Sequence, residues 1–201
     1  MIEVLNKGLS NKILIDSEVE LNSNAQIIIC GNNNYLEICK NVKINKSIVE
    51  INGNKSSIII RKNCILGGEF RCLNDSTSIS IGENTTMMRV RIFLHESGKI
   101  SIGDDCMFSG DIYMNVSDVH SILDLESGKR INPPENIEIG SHVCICQGCT
   151  ILKGVTIGSN SVIGAKSLVS NNVPQNTIVA GVPAKIVKEN ITWDRKRLPF
   201  N

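Results

Sequence analysis

Aromatic side chains are scarce in this chain, which has one Trp, two Tyr and four Phe among 201 residues. A core of ordinary domain size must therefore be filled by aliphatic groups. No stretch approaches the roughly 18 consecutive apolar residues that read as a membrane span, which predicts no integral membrane association. The opening residues, MIEVLNKGLSNKILIDSEVE, set acidic groups between the apolar steps, so no export signal with a charged head and an apolar middle fits there. Neither sign of charge dominates: 21 Lys and Arg against 20 Asp and Glu leave a net charge of +1. With no run of five basic residues, nucleic acid and polybasic membrane contacts are excluded as the main activity, and small or neutral partners are expected. These absences together predict a cytoplasmic location.

What is abundant is Ile and Val, punctuated by Asn, Gly and Ser, a composition of strands and turns. The eight cysteines (Cys30, Cys39, Cys64, Cys72, Cys106, Cys144, Cys146 and Cys149) are expected to be reduced thiols in that compartment, used as small buried hydrophobes.

The strongest signal is a repeat. From Ile139 the rows divide into sixes, IGSHVC, ICQGCT, ILKGVT, IGSNSV and IGAKSL, opening at Ile139, Ile145, Ile151, Ile157 and Ile163 and continuing at Val169. The fifth place is small or β-branched: Val143, Cys149, Val155, Ser161 and Ser167. A period of six suits neither an amphipathic helix nor one long strand. It suits a triangular prism of short strands that turns a corner every six residues, with Ile pointing inward and small residues near the corners. Upstream the signature is irregular: Ile38 and Ile44, Ile60 and Leu66, Ile81, Met87 and Phe93, and Ile102 and Phe108 are each six apart, with 21 or 22 residues between blocks. This predicts the same solenoid with extra residues at one corner per coil, a right-handed β-helix being the alternative for the N-terminal half.

From Ile102 to Ile139 the step lengthens to 37, so a segment near NVSDVHSILDLESGKRINPP must leave the prism. Loops of that length in a compact domain are usually functional or disordered. The predicted organisation is one all-β domain: irregular coils over 1–113, a looped-out insertion over 114–136, regular coils over 137–173, and a C-terminal cap and tail over 174–201 that closes the open core.

The Ile-Gly hexads, ILKGVTIG, the AGVPAK closure, the SDVHSI and GKRIN loop and the tail VKENITW resemble the hexapeptide-repeat acyltransferases of the left-handed parallel β-helix class. Within that class they resemble the branch that O-acetylates bacterial capsular polysaccharides, polysialic acid included. The likeness is good over about 100–195 and one of style before that. It implies a homotrimer, with acetyl-CoA lying in the groove between two prisms, no metal, and a carbohydrate acceptor. His120 stands at the position of the family's loop histidine and Asp118 two residues before it. A sugar hydroxyl needs its proton removed as it attacks a thioester, and an imidazole of pKa about 6.5 suits that task; Asp118 would orient it directly or through backbone ordering. Asn115 and Cys144 fall to the acetyl pocket, with His142 either a structural corner residue or a second contact there, and Ala165, Lys166, Pro183 and Lys185 fall to the coenzyme. Lys188 and Arg195 are weaker phosphate candidates, and His95 reads as a turn residue.

One departure stands out. The resembled branch reads His-Val-Trp-Ile-Gly where this chain has His142-Val143-Cys144-Ile145-Cys146, so an indole and a glycine are both replaced by thiols. A roomier pocket, another oxyanion donor, a lost activity, an acetylated Cys144 and a Cys144-Cys146-Cys149 metal set all follow as possible readings. Acyl transfer to an amine, a metal hydratase and a non-catalytic β-helix are the alternatives on the same fold.

Overall fold

The computed structural model describes residues 4–22 and 24–200. Among the described residues there is no helix; the chain winds as a left-handed parallel β-solenoid of about eight turns. A seven-stranded sheet forms the first face, from Lys12–Ile15 through Tyr35–Ile38, Ser57–Ile60, Thr77–Ile81, Gly98–Ile102 and Ile137–Ile139 to Thr156–Ile157. A thirteen-stranded sheet makes the other two. It is continuous because Lys43–Ile51, Ile65–Cys72, Thr86–Leu94 and Met107–Asn115 each bend from the second face onto the third.

The bends coincide with breaks in register between Asn45 and Ile48 and between Arg89 and Val90. Lys46 and Asp111 take positive φ there (47° and 61°). At Gly68 (φ 133°) an added Cβ would stand 1.9 Å from the Val90 carbonyl oxygen, so the coils approach closely only because that side chain is missing.

Inside, the hexad reading is direct. Ile139, Ile145, Ile151, Ile157, Ile163 and Val169 are buried, and so are the fifth-place residues Val143, Cys149, Val155, Ser161 and Ser167. Each buried aliphatic side chain is worth about 1.5–3 kcal/mol. The small fifth residues do more than fit. Ser161 donates to the Pro174 carbonyl (2.8 Å), Ser167 to Gly164 (2.6 Å), and the thiols of Cys64, Cys106 and Cys149 to Gly82, Gly140 and Gly164 at 3.0, 3.3 and 3.1 Å. Burial pushes the Cys64 and Cys106 thiols up to about 11. The reading of cysteines as small buried hydrophobes holds for Cys64, Cys72, Cys106 and Cys149, whereas Cys30 is exposed and Cys39, Cys144 and Cys146 are half-buried.

The Asn-rich composition has its cause at two edges. Between the first and second faces, Asn41, Asn63, Asn84, Asp105, His142, Asn160 and Asn176 form one column with φ between 53° and 62°, the left-handed region that Asn and Asp tolerate best. Between the third and first faces the upstream coils carry their extra residues, and there a ladder runs up the stack. The amides of Leu9, Asn32 and Asn54 donate to the side-chain oxygens of Asn32, Asn54 and Asp75 at 2.7, 2.9 and 2.8 Å.

The chain leaves the prism after Asn115 and re-enters at Ile137, which pairs with Ile100. At the far end Ile178–Gly181 continues the parallel ladder beside Val162–Ile163. Ala184–Lys188 then turns back antiparallel along it, which covers a strand edge that would otherwise stay free.

Candidate active site

The excursion is a held structure. Asn115, buried, donates through Nδ2 to the Tyr113 hydroxyl oxygen (3.2 Å) and pairs with His95 Nδ1 (3.0 Å); its Oδ1 accepts the Ser117 amide (3.2 Å). Ser117 in turn accepts the Val119 amide (2.8 Å) and donates its hydroxyl to Glu96. Glu96 receives Arg130 through two bonds of 2.6 and 2.7 Å, and these donors, Arg130 first, hold its carboxyl down to about 2. His95 is thus part of the loop's footing, which its sequence setting did not show.

The next three residues make a tight turn: the His120 amide donates to the Asp118 carbonyl at 2.7 Å across Val119, whose φ is 68°. A β-branched residue there is a conformational outlier, of the kind that persists only when its surroundings over-determine it. Here they do. Asn132, nearly buried, donates to the His120 carbonyl (2.8 Å) and the Asp118 carboxylate (2.9 Å), and accepts from the Ile122 amide (2.8 Å) and Arg130 Nε (3.0 Å). Lys153 reaches from the next coil to the same Asp118 carboxylate at 2.5 Å and to the Pro133 carbonyl at 2.9 Å. Its ammonium is the main reason the Asp118 carboxyl sits below its usual range.

Of the two ways Asp118 was expected to serve His120, direct bonding to the ring is not what the fold shows. The carboxylate is taken by Lys153 and Asn132, and the ordering passes through the backbone. The His120 side chain is exposed, and among the described residues nothing hydrogen-bonds its ring.

His142 is placed elsewhere, in the column between the first and second faces. Both ring nitrogens are engaged, Nδ1 by Asp105 (2.7 Å) and Nε2 by the Trp193 carbonyl (2.8 Å), and the indole stacks on it at 4.2 Å and 9°. Trp193 Nε1 donates to the His142 carbonyl (2.7 Å). Arg195 clasps Asp105 (2.8 Å), Thr86 (3.0 Å) and the carbonyls of Asn84 (3.1 Å) and Cys106 (2.9 Å). Of the two readings of His142, the structural one matches this geometry: with both ring nitrogens engaged and one face covered, it anchors the C-terminal tail. Arg195 likewise is a structural clasp.

Cys144 and Cys146 point outward from the second face, where with Met88, Met107, Ser109 and Gln147 they line an apolar hollow of about 420 Å³. The two neighbouring thiols act on each other: Cys144 holds Cys146 below the ordinary thiol range, while Cys146 and burial push Cys144 up. A nucleophilic Cys144 is thus disfavoured. Cys149 faces the core instead, so the three sulfurs do not converge, and among the described residues no group of three or more His, Cys, Asp or Glu is arranged for a metal.

Ala165 and Lys166 are exposed beside the edge between the second and third faces, Lys166 with φ 61°. Pro183 and Lys185 are exposed on the terminal hairpin. Within one chain the thiol-lined hollow adjoins the edge that carries Ala165 and Lys166, since the Lys166 amide donates to the carbonyl of Gln147 in its lining (2.9 Å), whereas the loop histidine stands by the edge between the third and first faces. No helix among the described residues is long and apolar enough to cross a membrane.

Comparison with known proteins follows this geometry. The family described as bacterial transferase hexapeptide (six repeats) matches residues 136–171. A polysialic acid O-acetyltransferase of Neisseria meningitidis is 39% identical over 94% of this chain and 88% of its own length. One of Escherichia coli O1:K1 is 37% identical over 80% of this chain, which spans only 45% of that relative. The crystallographic structure of the polysialic acid O-acetyltransferase OatWY superposes with a TM-score of 0.92 at 38% identity, covering 98% of this chain and 93% of the other.

Proposed function

The chain belongs to the bacterial hexapeptide-repeat acetyltransferases, and from that premise we propose that it moves an acetyl group from acetyl-CoA to a hydroxyl of a sialic acid-bearing capsular polysaccharide, with His120 as general base. The observation that carries the reading is the presentation of His120. Its backbone is fixed by Asn132 and by a strained turn, while its ring is left open to a substrate.

Acetyl-CoA would supply the acetyl group as a thioester. The exposed Ala165, whose amide donates to no group among the described residues, fits a pantetheine arm lying along its edge, and Lys166 and Lys185 fit phosphates. The imidazole of His120 accepts the proton of the attacking hydroxyl and returns it to the departing thiolate, help typically worth about 10²–10⁴ in rate. Asp118 and Lys153 act on the loop. Cys144 and Cys146 shape the hollow, which is apolar and holds no indole.

The separation of the His120 loop from the edge that carries Ala165, Lys166 and the hollow supports a site completed between neighbouring prisms, and we assign the working form as a homotrimer. Thiol release from acetyl-CoA with polysialic acid tests the reading. His120→Ala is expected to lose about 10²–10⁴ in kcat, with sedimentation reporting a trimer in both forms. Full activity of that variant, or no transfer by the unaltered protein to any sialylated glycan, overturns it.

A further inference from the structure

Two of the chain's few aromatic residues, Phe93 and Tyr113, stand together with His95 on the outside of the prism. Phe93 and Tyr113 stand edge to face in neighbouring coils, 5.9 Å apart at 88°, and Phe93 meets His95 in the same way at 5.8 Å and 81°. The register sets Arg91 beside Tyr113 and Arg71 beside Phe93. Each guanidinium lies against its partner ring, at 5.5 and 5.9 Å from the centroid. Toward the second face the row opens into a hollow of about 480 Å³ whose charged lining is Lys46, Arg89 and Arg91 against Glu69 and Asp111. In the opposite direction it meets Asn115, bonded to both Tyr113 and His95, and so the footing of the His120 loop.

The cations here are not equivalent. Arg89 is held by Asp111 through two bonds of 2.7 and 2.6 Å, and Arg71 by Glu50 and Glu69. Among the described residues neither Lys46 nor Arg91 forms an ion pair. In a chain whose net charge is +1, this is a local positive excess beside flat apolar rings. A guanidinium fork matches a carboxylate, and an aromatic face matches the C–H face of a pyranose ring.

We propose that this row is a second acceptor subsite, remote from the reacting hydroxyl, which grips a carboxylate-bearing sugar of the glycan chain through Arg91 and Lys46 with Tyr113 as platform. It rests on the reading of an acidic glycan acceptor. The subsite keeps the polymer in place while a neighbouring unit lies at His120, so affinity grows with chain length.

Calorimetric titration of the full chain with oligosialic acid, and with dextran of equal length as the neutral probe, tests the proposal. The unaltered protein and His120→Ala are expected to bind oligosialic acid alike and to ignore dextran. Arg91→Gln is expected to bind it about tenfold more weakly with a flatter salt dependence, and Lys46→Gln to follow in the same direction. Both side chains lie on the outer surface, and circular dichroism checks the fold. Unchanged affinity in both variants, equal binding of dextran, or no binding by the unaltered protein overturns the subsite. Binding by the unaltered protein with no acetyl transfer leaves the subsite standing and removes the proposed activity. Transfer with Arg91→Gln binding normally does the reverse.

Discussion

Replacing Asn132 by Ala removes four hydrogen bonds from the base of the His120 turn without touching the prism. Two are donated, to the His120 carbonyl and the Asp118 carboxylate, and two accepted, from the Ile122 amide and Arg130. A neutral bond nets about 1 kcal/mol and one to a charged group about 1.5–3. Because water reaches part of the loop and replaces some of them, the loss of loop order should be about 3 kcal/mol, or on the order of 10² in the population of the ordered turn. The φ of Val119 is then no longer enforced, and the turn relaxes. Amide hydrogen exchange should quicken across 118–132 while the strands of the prism keep their protection. Steady-state kinetics should show kcat down by about 10², with the melting temperature within about 2 °C of the unaltered protein. A positioning role has a further signature: the double variant with His120→Ala should be no slower than His120→Ala alone. Unchanged exchange in the loop with unchanged kcat, or fully additive losses, would falsify the account of how His120 is held.

Two other outcomes follow from the same geometry. Trp193 is the only tryptophan, so its fluorescence reports the tail: Arg195→Ala should release it, shift the emission to the red and cost about 1–2 kcal/mol, whereas an unshifted spectrum would mean that the clasp contributes nothing. Alkylation of Cys146, followed by mass spectrometry, should rise at a pH below that of an ordinary thiol, because the thiolate forms as pH climbs through the lowered value. Cys144→Ala should move that midpoint upward, and an unmoved midpoint would remove the Cys144 thiol as its cause.

The hexads were legible because they demand only what a six-residue window contains: an inward Ile, a small fifth residue, and a corner that tolerates positive φ. The position of the excursion was legible for the same reason, since Ile102 and Ile139 keep phase across 37 residues and pair in the fold. What brings Lys153 and Asn132 to Asp118, or Trp193 to His142, is the vertical stacking of coils. That depends on how many residues each turn consumes, which, the excursion apart, ranges from 16 for Ile163 to Val179 to 23 for Lys12 to Tyr35. A hexad phase is silent about such neighbours. The corner place of His142 was legible from its hexad phase, but its partners were not: its column is one of Asn and Asp, chosen for backbone conformation. The cysteines misled in the opposite sense: several are donors to corner carbonyls, interchangeable in role with the serines above them.

The tail clasp also orders events in time. Most other contacts join coils adjacent in the stack, so the solenoid can grow coil upon coil as the chain is made. Arg195 is different, for it bonds groups 89 to 111 residues away, on two successive coils, while Trp193 seals a third. Those acceptors line up only after Asn84, Asp105 and His142 have come into one column. The closing of the tail is therefore a late step that cannot precede correct registration of the middle coils, and a chain whose register has slipped by one corner is left with an indole and a guanidinium unburied, visible to whatever removes unfinished proteins.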